Sequence, residues 1–148
     1  MADDSDKTTV AEQVWRSMFG FIMHTRPRRD AVLTGLGLTP TEAKALDSLD
    51  GETGRTMKEL AAEWGCDAST ATWTVDRLER LHMAERRPRP GDRRVRLVVL
   101  TPLGVTTKEE MTRGMHMTPP ELLDLGEEEL RALRALLTKL PGGTRSPA

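Results

Sequence analysis

The sequence has little of what would staple a chain, carry it across a membrane or build a catalytic centre. Cys66 is its one cysteine, so no internal disulfide can form. Its first residues, Met1 to Lys7, are acidic and polar where an export signal would be basic and then apolar, and a reducing cytoplasm is the expected compartment. No stretch approaches the roughly 20 apolar residues that span a bilayer, so the chain is expected to be soluble. His24, His82 and His116 are far apart and show no i, i+4 ligand spacing, which leaves a zinc site without support. There is also no nucleophile with a paired base and no phosphate-cradling glycine loop, so the pattern argues against an enzyme and implies no cofactor.

What is present fits one domain. The 148 residues are 37% hydrophobic and 30% charged, enough apolar material for one core. The net charge of −1 conceals a pattern. Residues 1–54 carry 6 basic and 9 acidic side chains, residues 55–101 carry 10 and 7, and residues 102–148 carry 6 and 7. The excess concentrates in residues 77–96, where Arg77, Arg80, Arg86, Arg87, Arg89, Arg93, Arg94 and Arg96 stand against Glu79, Glu85 and Asp92 for a local net of +5. Every base there is arginine, whose planar fork of donors suits phosphate oxygens and guanine edges. A wet basic face is the plain alternative.

Val10, Val14, Met18, Phe21 and Ile22 recur at helical spacing and predict an amphipathic helix that ends at Arg26-Pro27. Thr39-Pro40-Thr41-Glu42 predicts a second helix start with cap, first-position proline and capping-box glutamate; Ala43, Leu46 and Leu49 form its buried stripe. After the breakers Gly51 and Gly54, Thr56 to Glu59 repeats the box before Leu60, Ala61 and Trp64. Gly65 can end that short helix, and Asp67 can cap a fourth, whose core face is Ala71, Val75 and Leu78. Its outer face carries Ser69, Thr70, Trp73, Asp76, Arg77 and Arg80, with Thr72 on the flank: small hydroxyls that let a helix sink toward base edges, then arginines. Two helices meeting at such a turn resemble a helix-turn-helix. Alternating Val95, Leu97 and Val99 predict a half-buried strand paired with Ala84 to Arg87 through a tip at Pro88-Arg89-Pro90-Gly91-Asp92, which is a wing. Thr101-Pro102 opens a further helix to about Met117, Pro119-Pro120 breaks it, and a last helix carries Leu130, Leu133, Leu136, Leu137 and Leu140.

Leu60-Ala61 with Gly65, Ser69-Thr70-Ala71-Thr72 with Val75-Asp76-Arg77-Leu78-Glu79, and the wing pieces Arg86-Arg87-Pro88, Asp92-Arg93-Arg94 and Val99-Leu100-Thr101-Pro102 with Gly104 are similar to the MarR family of bacterial transcription regulators. The resemblance spans roughly residues 10–140, with its specific motifs in residues 38–104. It implies a mainly α fold with a small β wing: a winged helix-turn-helix at 38–104, flanked within a single domain 1–148 by dimerisation helices at 8–37 and 105–141, with a loose tail at 142–148. It departs from the family pattern at His82, where a glycine usually closes the recognition helix, at Trp73, where a small or basic residue is commoner, and at Pro119-Pro120, within what is often one long helix.

The function implied is a repressor that binds a palindromic operator in double-stranded DNA as a homodimer. Ser69, Thr70, Thr72, Trp73 and Arg77 would be its recognition-helix contacts, and Arg87, Arg89, Asp92, Arg93 and Arg94 its wing, with Arg94 in the minor groove and Asp92 orienting it. Trp15, Phe19, Met23, Met111, Met115 and Met117 suit either an adaptable cavity for a small aromatic or phenolic effector, as the resemblance implies, or plain interface packing. Cys66 reads as a buried, inert cysteine or as a thiol activated by the following helix; the family's oxidant sensors resemble one another in an N-terminal-helix cysteine, and residues 1–54 hold none. The alternative function is a winged-helix protein-interaction module without operator recognition, which the acidic flanks and Trp73 permit.

Overall fold

The threonines at 39 and 56 decide where the central helices begin. In the computed structural model, which describes residues 2–141, each hydroxyl accepts from the amide three residues on, and Glu42 and Glu59 reach back to the cap amides, closing both capping boxes. The expected loose tail, 142–148, lies outside the described residues. The chain forms two compact units, one ending at His116 and one starting at Met117. The first holds α1 (Ala2–Gly35), α2 (Pro40–Ser48), α3 (Met57–Trp64), α4 (Ala68–Arg80), β1 (Ala84–Arg89), β2 (Asp92–Leu100) and α5 (Pro102–Met115). The second holds a 3-10 turn (Pro120–Asp124) and α6 (Glu127–Leu137). The architecture is mainly helical with one two-stranded antiparallel sheet, the class expected.

Leu46 of α2, Leu60 of α3, Val75 and Leu78 of α4 and Val98 of β2 are wholly buried together. Burial of each such side chain stabilises by about 1.5–3 kcal/mol, so this cluster locks the three short helices against the sheet. Gly65 closes α3 at φ 64°, a left-handed turn that glycine enters without a Cβ clash, and Asp67 caps α4 two residues later. The turn between them is further held by Trp64, whose Nε1 donates to Ser48 Oγ at 2.9 Å.

α1 corrects the sequence reading: it runs through Pro27 to Gly35. Proline withholds one helix hydrogen bond and costs about 3 kcal/mol. Beyond it, Leu33 enters the core, and the Thr25 hydroxyl and Arg29 guanidinium donate to the Ile22 carbonyl at 3.0 and 2.9 Å in the preceding turn. Core burial and these added donors offset the proline. The apolar stripe of α1 is not covered within the unit, for Val10, Val14 and Ile22 are exposed, as are Trp15 and Phe19. α5 stops at Met115, slightly short of expectation, and Pro120 opens the 3-10 turn. In α6, which ends at Leu137, Leu133 and Leu136 are also exposed, and Leu140 lies past the helix.

The root of the hairpin corrects the simple alternation. Ala84↔Leu100 through Pro88↔Arg96 pair in register, but Val98, Val99 and Leu100 are all buried. Arg55, in the loop before α3, forms a bridge on the other edge of β2, exchanging hydrogen bonds of 3.1 and 2.8 Å with Val98. Val98 therefore sits in the middle of three chain segments and loses its solvent side. His82 adopts φ 58°, and the turn is closed by His82 N–H to Glu79 O and Met83 N–H to Leu78 O, both 2.9 Å. These are the two bonds of a Schellman motif, here with histidine in the usual glycine position.

Candidate nucleic-acid interface

The outer face of α4 is set by its cap and its core stripe. Asp67 Oδ1 accepts from the Thr70 amide at 2.7 Å and from Ser69 Oγ at 2.8 Å. The Thr70 amide and the Ser69 hydroxyl together hold the Asp67 carboxyl below its ordinary pKa, as the Thr56 amide does for Glu59. Ala71, Thr74, Val75 and Leu78 are buried, so the helix has one possible roll. Thr74 was absent from the expected core; its hydroxyl is spent on the Thr70 carbonyl at 2.9 Å. Ser69, Thr70, Thr72, Trp73, Asp76 and Arg80 are exposed. Thirteen residues give a rod of about 20 Å, a size that a major groove about 12 Å wide accepts end-on or obliquely.

Arg77 lies differently from the other expected contacts. Its Nε donates to Glu42 Oε1 at 3.0 Å, and Glu42 is 1% exposed. Burial raises the Glu42 pKa, but the Thr39 amide and then Arg77 outweigh it, and the carboxyl remains below its ordinary range. Arg77 therefore fixes α4 to the start of α2. The signal was available in outline, since Glu42 is the third residue of a capping box whose second oxygen has no local donor. Trp73, 55% exposed, flanks a shallow groove with Asp76, Glu79 and Arg80. The wing is tied to α4 by Arg86 instead: its backbone N–H donates to Glu79 Oε1 at 3.1 Å, its Nη1 pairs with Glu79 Oε2, and its Nη2 donates to Asp76 Oδ1 at 2.7 Å. This residue was not among the expected contacts.

At the tip, Pro90 and Gly91 make the turn, with Gly91 at φ 82°. Arg89 pairs with Asp92 but Pro88 pairs with Arg96, so Arg93, Arg94 and Val95 bulge from β2 without partners in β1. Bulges re-aim side chains, and this one carries two arginines. Asp92 Oδ1 accepts from the Arg94 backbone amide at 3.0 Å, so it shapes the main chain under Arg94 and does not grip the guanidinium. Arg87 pairs with Glu85, and Arg89 lies within electrostatic range of Glu59. Among the described residues, Arg93, Arg94 and Arg96 have no carboxylate partner.

Within one protomer the residues expected around an effector do not all line one pocket. Met111 and Met115 line a pocket of about 350 Å³ with Leu33, Ala43, Lys44 and His116, between α1, α2 and α5. Trp15, Phe19 and Met23 are exposed on α1, and Met117 is exposed in the second unit. Helix rise explains it: Met23 and Trp15 precede Leu33 by 10 and 18 positions, about 15 and 27 Å along the axis. Cys66 is half-buried and borders a groove with Lys44, Trp64 and Thr70, which corrects the buried reading. Among the described residues no cluster of three or more His, Cys, Asp or Glu could hold a metal, and no helix is long and apolar enough to cross a membrane.

Residues 36–95, from the turn after α1 to the wing bulge, match the model of the MarR family. No curated protein sequence matches the chain. Among solved structures, the YusO protein of Bacillus subtilis is 25% identical with TM-score 0.75, covering 88% of this chain and 94% of its own. A mutant MepR of S. aureus bound to an oligodeoxyribonucleotide is 26% identical with TM-score 0.70, over 84% and 94%. Apo MarR from E. coli is 28% identical with TM-score 0.62, over 84% and 93%. With capped α3 and α4 meeting at Gly65 and an arginine-tipped wing, residues 36–95 form a winged helix-turn-helix of the MarR family, and the chain is similar over most of its length to solved regulators of that family.

Proposed function

We propose that the protein is a cytoplasmic transcriptional repressor that binds a palindromic operator in double-stranded DNA as a homodimer, and that a small aromatic or phenolic effector modulates this binding. One observation carries the reading: a hydroxyl-bearing helix face, Ser69, Thr70 and Thr72, stands in the same unit as a bulged wing whose Arg93 and Arg94 have no carboxylate partner among the described residues. Unpaired arginines at a protruding tip suit a narrow minor groove, while small hydroxyls suit close approach in the major groove. Arg87, Arg89 and Arg96 add phosphate attraction along the hairpin. The S. aureus MepR relative is recorded with an oligodeoxyribonucleotide, which supports the same use of the fold.

Dimerisation is supported by Val10, Val14, Trp15, Phe19 and Ile22 of α1, and independently by Leu133 and Leu136 of α6, apolar side chains that a monomer would leave in water. A two-fold dimer reading one face of B-DNA prefers half-sites about 34 Å apart. The effector is assigned to the pocket at Leu33, Ala43, Lys44, Met111, Met115 and His116, where methionines adapt to aromatic shape and Lys44 offers charge to a phenolate.

The test is selection of duplexes from a random pool with the purified protein, repeated with Arg94→Ala and at two salt concentrations. A palindrome recovered by the wild type and lost or weakened with Arg94→Ala is the expected result. If about eight phosphates are neutralised, log affinity falls against log salt with a slope of about −7. A folded dimer that enriches no sequence would overturn the reading in favour of a protein-interaction module, for which the exposed Trp73 would be the anchor.

A further inference from the structure

The recognition helix carries two carboxylates that DNA would repel. Asp76 lies in the exposed stripe with Ser69, Trp73 and Arg80, and its side chain is 50% exposed. Glu79, 31% exposed, follows on the flank nearest the wing. A phosphate backbone facing this helix would meet both, and like charges brought together across an interface cost binding free energy. One residue pairs with both carboxylates. Arg86, 25% exposed on β1, places Nη1 on Glu79 Oε2 and Nη2 on Asp76 Oδ1, while its amide takes Glu79 Oε1. Both terminal nitrogens of the guanidinium are used, each on a different carboxylate.

From this geometry we infer that Arg86 is a positioning residue for DNA recognition: it covers the negative charge of α4 and holds Asp76 and Glu79 away from the phosphates, without itself touching DNA. The inference rests on the DNA-binding reading above. It assigns to Arg86 a role distinct from that of its neighbours in the same arginine cluster. Arg93 and Arg94 offer charge outward, whereas Arg86 spends its charge on the helix that would otherwise reject the ligand. The net effect is a recognition face whose two carboxylates are reduced to a net charge of −1 and tied toward the wing, beside an outward positive tip.

The test is a cycle of three proteins beside the wild type, measured by fluorescence anisotropy on the operator recovered from the duplex selection: Arg86→Ala, Asp76→Asn with Glu79→Gln, and all three changes together. Thermal unfolding first establishes that each is folded. Arg86→Ala is expected to weaken binding roughly ten- to a hundredfold, the range for uncovering interfacial like charge. The Asn and Gln pair alone should tighten binding modestly, because one guanidinium leaves a single negative charge uncompensated. In the triple variant most of the loss should be recovered. With a direct Arg86 contact with DNA or a purely structural clamp, neutralising the carboxylates would recover no more than the Asn and Gln pair gains in the wild-type background. A triple variant that gains no more than that over Arg86→Ala, or an Arg86→Ala protein that binds like wild type, therefore overturns the inference. Should Arg86→Ala fail to fold, Arg86→Lys, which keeps one charge and reaches one carboxylate, is expected to lose an intermediate share and to be rescued in the same way. A wild-type protein that enriches no duplex removes the DNA-binding reading itself, an outcome visible before any variant is compared.

Discussion

The root and the tip of the hairpin are built from one short run of sequence, yet they are held by different forces. At the root, Ala84, Val98, Val99 and Leu100 are buried, Arg55 adds a bridge, and the chain turns at His82 with the His82 and Met83 amides satisfied by backbone. At the tip, Arg93 and Arg94 stand on a bulge in solvent with only the Asp92 carboxylate shaping the main chain beneath them. Packing therefore fixes where the wing starts, and charge decides what its end can do. Substitutions at the root should act on stability, and substitutions at the tip should act on binding.

The largest effect is expected from Gly104→Ala at the root. A Cβ at this position in α5 would lie 1.9 Å from the Met83 carbonyl oxygen, which is backbone and cannot swing aside. Overpacking of this kind costs about 3 kcal/mol or more, since α5 must move away from the hairpin to relieve it. Urea unfolding should report that loss, and a variant with wild-type stability would refute the close approach.

Arg77→Ala is expected to be second. It leaves the buried Glu42 with the Thr39 amide but without its cation, for a loss of about 2 kcal/mol, reduced from the cost for a fully buried pair because the Arg77 side chain is 39% exposed. The same pair gives an acid signature. Burial raises the Glu42 pKa, and the Thr39 amide with Arg77 more than reverses it, so the folded-state pKa lies below the unfolded one. Stability from this group is complete above the unfolded value of about 4.3 and is lost as pH falls through the folded value. Wild type should lose more stability than Arg77→Ala between pH 5 and pH 3, about the range in which carboxylates take up protons. Parallel curves would show that the bridge carries no linkage.

At the tip, Arg94→Ala should leave unfolding unchanged within about 0.5 kcal/mol, as exposed substitutions do. Operator affinity should fall by about ten- to a hundredfold, and the salt slope should shallow by up to about 2 for the two protomers of a dimer. A change in stability with intact binding would reverse the comparison between root and tip.

How much of this was legible in the sequence follows from the range of the forces involved. The caps at Thr39, Thr56, Asp67 and Thr101 are local, needing only three or four residues, and each stands where the sequence put it. The fold class follows from those caps and the apolar stripes between them. Pro27 misled because the rule that ends helices at proline is local, while the burial of Leu33 that carries α1 onward is tertiary. Val98 misled likewise, because its second neighbour, Arg55, is 43 positions away. The arginine cluster marked the region of the site but could not say which arginines were free. Arg77 and Arg86 turn inward because Glu42, Asp76 and Glu79 reach them first, and those distances exist only after folding.

The smallest effect separates backbone from side chain at the root itself. His82 is exposed, and its main chain makes the bonds of the turn: its amide donates to Glu79 O at 2.9 Å and its carbonyl accepts from Thr101 Oγ1 at 2.6 Å. His82→Gly keeps those bonds and relieves the left-handed strain, worth about 1 kcal/mol, but adds about 0.5 kcal/mol of unfolded-state freedom. The expected net is a gain of about 0.5 kcal/mol. His82→Val should instead lose about 1–2 kcal/mol, because a β-branched residue tolerates a positive φ poorly. Melting temperatures at one fixed protein concentration, needed because a dimer melts by mass action, test the pair. Glycine above wild type and valine below it would place the cost in the main chain. Both variants falling together would mean that the imidazole makes a contact of its own, and the root would then depend on a side chain as well as on packing.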